Sequence, residues 1–255
     1  MPTMKNPKTV YLKDYQSPLF LIDAVDLTID ILEDVTTVHS HLSIRKNPEA
    51  QQASNDLVLD GESVELISVY RDSIELKENS YKKEEETLTI LNNPAEFSLE
   101  ITCKIKPQKN TSLEGLYKVD GIFLTQCEAE GFRKITYFPD RPDVMSRYQC
   151  TIKADKKKYP VLLANGDLTK CGDLENGRHF ATWVDPYPKP SYLFAMVAGD
   201  LACREDDYTT KSGRKVLLQI FTEHENIDEC DYALLSLQKS MKWDEDVFGL
   251  EYDLD

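Results

Sequence analysis

Phe97-Ser-Leu-Glu-Ile-Thr-Cys-Lys-Ile105 alternates apolar and polar residues along its whole length. Successive side chains of an extended chain point to opposite faces. This period of two therefore puts Phe97, Leu99, Ile101, Cys103 and Ile105 on one face and leaves the other wet. The same pattern stands upstream, where Val25, Leu27, Ile29 and Ile31 alternate with Asp26, Thr28 and Asp30. A weaker alternation sets Val38, Leu42 and Ile44 together. Strand-like runs recur at residues 64–70, 87–91, 121–126, 148–154, 161–164, 179–184, 192–198 and 216–222. Turn residues separate them: Asp60-Gly61, Asn92-Asn93-Pro94, Asn165-Gly166-Asp167 and Glu175-Asn176-Gly177. Many strands at short spacing, without helices between them, imply antiparallel sheets rather than βαβ units.

A helical period appears only late. Across residues 231–243, Leu234, Leu237 and Met241 form an apolar stripe at i, i+3, i+7. Asp228, Glu229 and Asp231 precede or open it, and Lys239 and Lys242 stand near its end, matching the helix dipole. The organisation thus changes near Asp200, which predicts a β domain over residues 1–200 and a second unit over residues 201–255. The closing Phe248-Gly-Leu-Glu-Tyr-Asp-Leu-Asp255 reads as a turn entering a new strand, so the sequence is expected to be a fragment with an incomplete second domain.

The 255 residues include 30 Lys plus Arg against 45 Asp plus Glu, a formal charge of −15. A chain this acidic repels phosphate backbones, which disfavours nucleic acid and anionic membranes as partners. The longest uncharged apolar run, Tyr192 to Gly199, falls far short of the roughly 20 residues a spanning helix needs. MPTMKNPKTVYLKDYQSP at the start carries no apolar leader core. The cysteines (Cys103, Cys127, Cys150, Cys171, Cys203 and Cys230) are scattered without a C-x-x-C pair, and read as reduced thiols in the cytoplasm.

Motifs of chemistry are scarce. No G-x-S-x-G elbow, P-loop or G-x-G-x-x-G occurs. His224-Glu225 starts like a zinc helix, but the position four residues on is Asp228, where a second imidazole is required. His39 and His41 share a strand face without a third ligand near in sequence, and are expected to face solvent opposite Val38 and Leu42. The lysine-rich run at residues 153–158 reads as a solvated turn. One segment differs: Thr125-Gln-Cys-Glu-Ala-Glu-Gly-Phe-Arg133. If extended, it points Gln126, Glu128 and Glu130 the same way. An amide and two carboxylates suit an ammonium group. The competing reading is a surface strand end with Glu130 paired to Arg133.

That stretch, with Ile135-Thr-Tyr137, Asp140-Arg-Pro-Asp-Val144, Trp183-x-Asp185-Pro-x-Pro-Lys-Pro190, Tyr192-Leu-Phe-Ala195, Val197-Ala-Gly-Asp200, Ser240-Met-Lys-Trp-Asp-Glu245 and the closing segment, resembles the bacterial-type aminopeptidase N family of zinc-dependent gluzincin aminopeptidases. The resemblance runs from about Tyr15 to the end. It implies a mainly β, saddle-shaped, antiparallel β-sandwich-like N-terminal domain, then the first strands and helix of a thermolysin-like α/β catalytic domain. It implies that Gln126 and Glu128 bind the free α-amine of a peptide substrate. It also implies zinc in the full-length family. The family's G-A-M-E-N loop, H-E-x-x-H helix, glutamate ligand and catalytic tyrosine have no counterpart in this sequence. No catalytic residue, no metal ligand and no bound zinc are therefore expected in this chain, which would meet its catalytic domain in cis. The alternative is a standalone β-rich module that binds peptides or proteins without catalysis; an inactive regulatory paralogue stands further off.

Overall fold

The computed structural model describes residue 9, residues 11–51 and residues 53–254. Residues 1–8 and Val10, on which the leader reading partly rests, lie outside the described residues, as do Gln52 and Asp255. The strands in chain order are β1 (Phe20–Ile31), β2 (Thr36–Lys46), β3 (Leu57–Asp60), β4 (Glu65–Arg71), β5 (Ile74–Glu75), β6 (Tyr81–Lys83), β7 (Thr87–Ile90), β8 (Glu96–Ile105), β9 (Gly115–Val119), β10 (Ile122–Gln126), β11 (Ser146–Asp155), β12 (Val161–Ala164), β13 (Asp167–Asp173), β14 (Arg178–Lys189), β15 (Met196–Gly199), β16 (Ala202–Thr209) and β17 (Lys215–Thr222). One α-helix among the described residues, α1 (Asp231–Val247), follows them.

Alternation builds the main sheet, which has eight strands in the order β13-β14-β11-β1-β2-β8-β4-β5. Every apolar residue of the Phe97–Ile105 stretch is buried, as are Val25, Leu27, Ile29 and Ile31. The β2–β8 register sets Val38 opposite Cys103, Leu42 opposite Leu99 and Ile44 opposite Phe97, so the three predicted faces are one face. Each such side chain taken from water contributes about 1.5–3 kcal/mol. A four-stranded sheet (β12-β15-β10-β9) and a three-stranded sheet (β3-β7-β6) share that core, through residues such as Phe123, Met196, Leu59 and Ile90.

The pairing departs from the antiparallel expectation at one place among the described residues: β1 and β11 run parallel, Val25 opposite Tyr148 and Ile29 opposite Ile152. The connection between them carries β2 to β10 rather than a crossover helix, which is why spacing between neighbouring strands did not announce it. Residues 192–198 also differ. Ser191–Leu193 is a 3-10 turn behind Pro190, and only the second half pairs, as β15.

β16 and β17 form a separate hairpin. Val216 and Leu218 pack with Leu234 of α1 in their own small cluster. Of the predicted helix stripe, Leu234 is buried and Met241 partly so, but Leu237 is exposed. The packed face instead includes Glu245, whose carboxylate accepts from the Tyr208 hydroxyl at 3.0 Å. The helix runs to Val247, so its last turn is acidic rather than basic. Asp246 there is held by Lys211 at 3.0 Å and Lys242 at 2.9 Å, and Gly249, with φ of 69°, ends the helix.

Candidate functional site

β9 and β10 form a hairpin over Asp120-Gly121, both in the left-handed region (φ 48° and 87°), as a two-residue turn of this hand requires. The hairpin register puts Gln126, the last residue of β10, opposite Gly115. Beyond it the chain does not continue extended. Residues 128–131 turn back, and the Gly131 N–H donates to the Cys127 carbonyl at 2.8 Å. The three side chains still emerge on the solvent side, for a different reason. Cys127 is buried while Gln126, Glu128 and Glu130 are exposed. Burial pushes the Cys127 thiol up to about 12, with Asp140 adding to it, so it stays protonated and unreactive at neutral pH.

Gln126 and Glu128 stand together at the rim of this turn. The Gln126 amide nitrogen donates to the Glu128 backbone carbonyl at 3.1 Å. That bond uses one of the two N–H groups of the amide and ties the Gln126 side chain to the main chain of Glu128. An amide, whose oxygen accepts, and a carboxylate on two exposed residues of one turn suit a donor cation. Glu130 is otherwise engaged: its carboxylate lies 3.4 Å from the Arg133 guanidinium, as the surface reading expected.

Below the rim the turn is fastened. Phe132 is fully buried and meets Phe138, Phe194 and Tyr148 edge to face at 5.0, 5.3 and 6.0 Å. The Arg133 N–H and Nε–H both donate to the Asp140 carboxylate at 3.1 Å. The Asp140 side chain is only 1% exposed, and its other oxygen accepts from Ser191 at 2.5 Å. Desolvation pulls the Arg133 guanidinium toward neutrality, but Asp60, Asp140 and Glu130 outweigh it and keep it charged. Burial raises Asp60 against the pull of Arg133. Asp140 and Arg133 were legible only as members of a motif block; nothing in their spacing announced the pair.

The other sequence candidates lie apart from this turn. His39 and His41 are exposed beside the buried Val38 and Leu42, and His39 Nδ1 lies 2.9 Å from the Thr102 hydroxyl. His224 Nε2 lies 3.1 Å from Asp200. In the lysine run, Lys156 pairs with Asp173 at 2.6 Å and Lys158 with Glu33 at 2.5 Å. Among the described residues no group of three or more His, Cys, Asp or Glu side chains could hold a metal ion. Nor is any helix among them long and apolar enough to cross a membrane.

Comparison with known proteins gives the family of the chain. Residues 14–193 match the peptidase M1 N-terminal domain. The chain is 47% identical over 251 residues to the aminopeptidase N of Escherichia coli strain K12, covering 98% of this chain and 28% of that protein. It is 48% identical over 249 residues to the aminopeptidase N of Caulobacter vibrioides, again 98% of this chain and 28% of that protein. Among solved structures, Legionella pneumophila aminopeptidase A in complex with aspartic acid superposes with a TM-score of 0.91 at 41% identity, over 95% of this chain and 29% of that one. An M1 zinc metallopeptidase of Deinococcus radiodurans, bound to a Tyr-Ser-Ala substrate, has a TM-score of 0.68 at 14% identity, over 82% of this chain and 49% of that one; it shares the fold. The chain thus spans little more than a quarter of the curated relatives it matches.

Proposed function

This chain belongs to the M1 peptidase family through its N-terminal domain, and on that premise we propose that it is the amine-recognising part of a zinc-dependent aminopeptidase. The observation that carries the reading is the pairing of Gln126 and Glu128 at the exposed rim of a turn fastened from below. In this reading the Glu128 carboxylate and the Gln126 amide oxygen attract the ammonium at a peptide's free N-terminus. Covered by the rest of the enzyme, as this reading requires, they discriminate against a blocked or internal residue, which has no cation to offer. The substrates are then peptides with a free N-terminus, and residues beyond this chain would hold the zinc, which would supply Lewis-acid activation of water, and would provide the base.

The same reading divides the chain near Asp200, into a β domain over residues 1–200 and the start of a thermolysin-like catalytic domain over residues 201–255. The separate cluster of Val216, Leu218 and Leu234 supports that division. Six free cysteines fit a reducing cytoplasm. The formal charge of −15 speaks against nucleic acid or an anionic membrane as a partner.

The test is Glu128→Gln in the full-length protein, assayed on amino-acid amides with a free amine. Removing one member of a desolvated charge pair costs about 2–5 kcal/mol. The expected loss in kcat/KM is therefore about 30-fold or more, at ~1.4 kcal/mol per tenfold. Gln126→Ala, which removes a neutral hydrogen bond, costs about 0.5–1.5 kcal/mol. Unchanged kcat/KM in Glu128→Gln would end the assignment.

A further inference from the structure

The turn that carries Gln126 and Glu128 is held by more than its own hydrogen bonds. Arg133 grips both the side chain and the main chain of Asp140, with Nε to the carboxylate and a terminal nitrogen to the backbone carbonyl, each at 3.1 Å. Asp140 cannot swing with it, because its carboxylate also takes the Ser191 hydroxyl at 2.5 Å and its N–H donates to Asp60 at 3.1 Å. The Arg133 carbonyl accepts the Glu62 N–H at 2.9 Å, fixing the far end of the turn to the segment after β3. Through Asp140 and its own carbonyl, Arg133 thus ties the turn to Asp60, Glu62 and Ser191, which are distant in sequence.

From the opposite side the turn is closed by contact. A Cβ on Gly131 would stand 2.3 Å from the Gln126 carbonyl oxygen and 2.8 Å from the Gly115 nitrogen. Main chain presses on main chain there, so any side chain at 131 must push Gln126 from its place. A buried ion pair gains little stability over well-packed apolar residues, because desolvation offsets its attraction. What it delivers is direction. The Phe132 ring, buried among aromatics, already anchors the turn without it.

We propose that Arg133 and Asp140 are positioning residues, whose ion pair, with the Gly131 contact, sets the turn so that Gln126 and Glu128 converge on one amine. The proposal rests on the amine-recognition reading above. It separates the anchoring of the turn, done by Phe132, from its aim, done by Arg133 and Asp140. Misaiming acts on groups that bind the amine, whereas the reacting centre is supplied by residues outside this chain. The signature is therefore a rise in KM with kcat kept.

Full-length protein carrying Arg133→Met, Arg133→Lys, Gly131→Ala or Glu128→Gln tests this by steady-state kinetics on an amino-acid 4-nitroanilide, beside thermal unfolding of each. A misplacement on the order of 1 Å costs up to about 100-fold. Arg133→Met and Gly131→Ala are expected to raise KM about 10- to 100-fold with kcat within about threefold, and Arg133→Lys, which keeps the charge but not the fork, falls between. Folded Arg133→Met and Gly131→Ala with wild-type KM, while Glu128→Gln raises it, would overturn the positioning role and leave amine recognition standing. Parallel falls in kcat and folded fraction would reduce the pair to a structural one. A neutral Glu128→Gln would remove both readings together. If Arg133→Met fails to fold, Gly131→Ala decides by the same kinetics.

Discussion

The ring of Tyr137 occupies the space a side chain on Gly61 would need: a Cβ there would stand 2.2 Å from Cε1. Tyr137 is 2% exposed and its hydroxyl donates to the Val64 carbonyl at 3.2 Å, so the ring cannot withdraw without losing that bond. Gly61→Ala should therefore overpack the core and cost about 1–3 kcal/mol. Urea unfolding reads this directly. Tyr137→Phe in the same background should not recover the loss, because the clash lies with the ring and not with the hydroxyl.

Phe132→Ala should be the costliest single truncation in the candidate site. It removes a fully buried ring from contacts with Phe138, Phe194 and Tyr148, and the cavity left behind adds to the lost transfer energy. A loss of about 3–5 kcal/mol in unfolding free energy is expected. A loss below about 1 kcal/mol would mean that the turn carrying Gln126 and Glu128 is anchored elsewhere.

Asp143 should shape the acid limb of stability. Arg141 grips its carboxylate at 2.6 and 2.8 Å, Tyr15 adds a hydroxyl at 2.9 Å, and together they hold it below its ordinary value against an opposing push from burial. The folded value lies below the unfolded one, so the ionised group favours the folded state above about pH 4, the unfolded value. That contribution is lost as pH falls through the folded value. Urea midpoints from neutral pH downward should show Asp143→Asn weaker than wild type near neutrality, with the gap closing in acid. A gap independent of pH would mean that shape, not charge, is what Asp143 contributes.

Hydrogen exchange should be uneven along the chain. β17 and α1 rest on a cluster of three buried residues, whereas β8 is buried along one whole face and paired on both edges. Regions with few buried apolar contacts open at lower free energy. Amides of residues 215–222 and 231–247 are expected to exchange faster than those of residues 96–105. Equal protection would argue against a boundary near Asp200.

The main sheet was legible where one face is dry and the other wet. β8, and β1 from Val25 to Ile31, announced themselves because every second residue is buried. β13 and β16 did not, since neither buries a single residue and no alternation is imposed on them. The face of α1 was misjudged in part because Glu245 and Gln238 pack by hydrogen bonding, to Tyr208 and Asp206, where apolarity alone points to Leu237. At the candidate site, the shared exposure of Gln126, Glu128 and Glu130 was legible but the turn after Gln126 was not. Its closure depends on Gly131 meeting Gly115 and Gln126, a contact made across a hairpin and invisible to local periodicity.

The parallel pairing of β1 with β11 also dictates the order in which this protein can be completed during synthesis. β2 and β8 emerge soon after β1 and can pair in sequence, but the other edge of β1 waits until residue 155 has left the ribosome. Until then the middle of the finished sheet is a free edge, with Val25, Leu27 and Ile29 beside it, and a free edge invites pairing with other chains. Nascent chains stalled before residue 146 should be cut by protease within β1, and chains stalled well past residue 189 should resist. The strand at the centre of the sheet is the one that waits longest for its second partner, so slow elongation across residues 47–145 prolongs the interval in which the protein can aggregate.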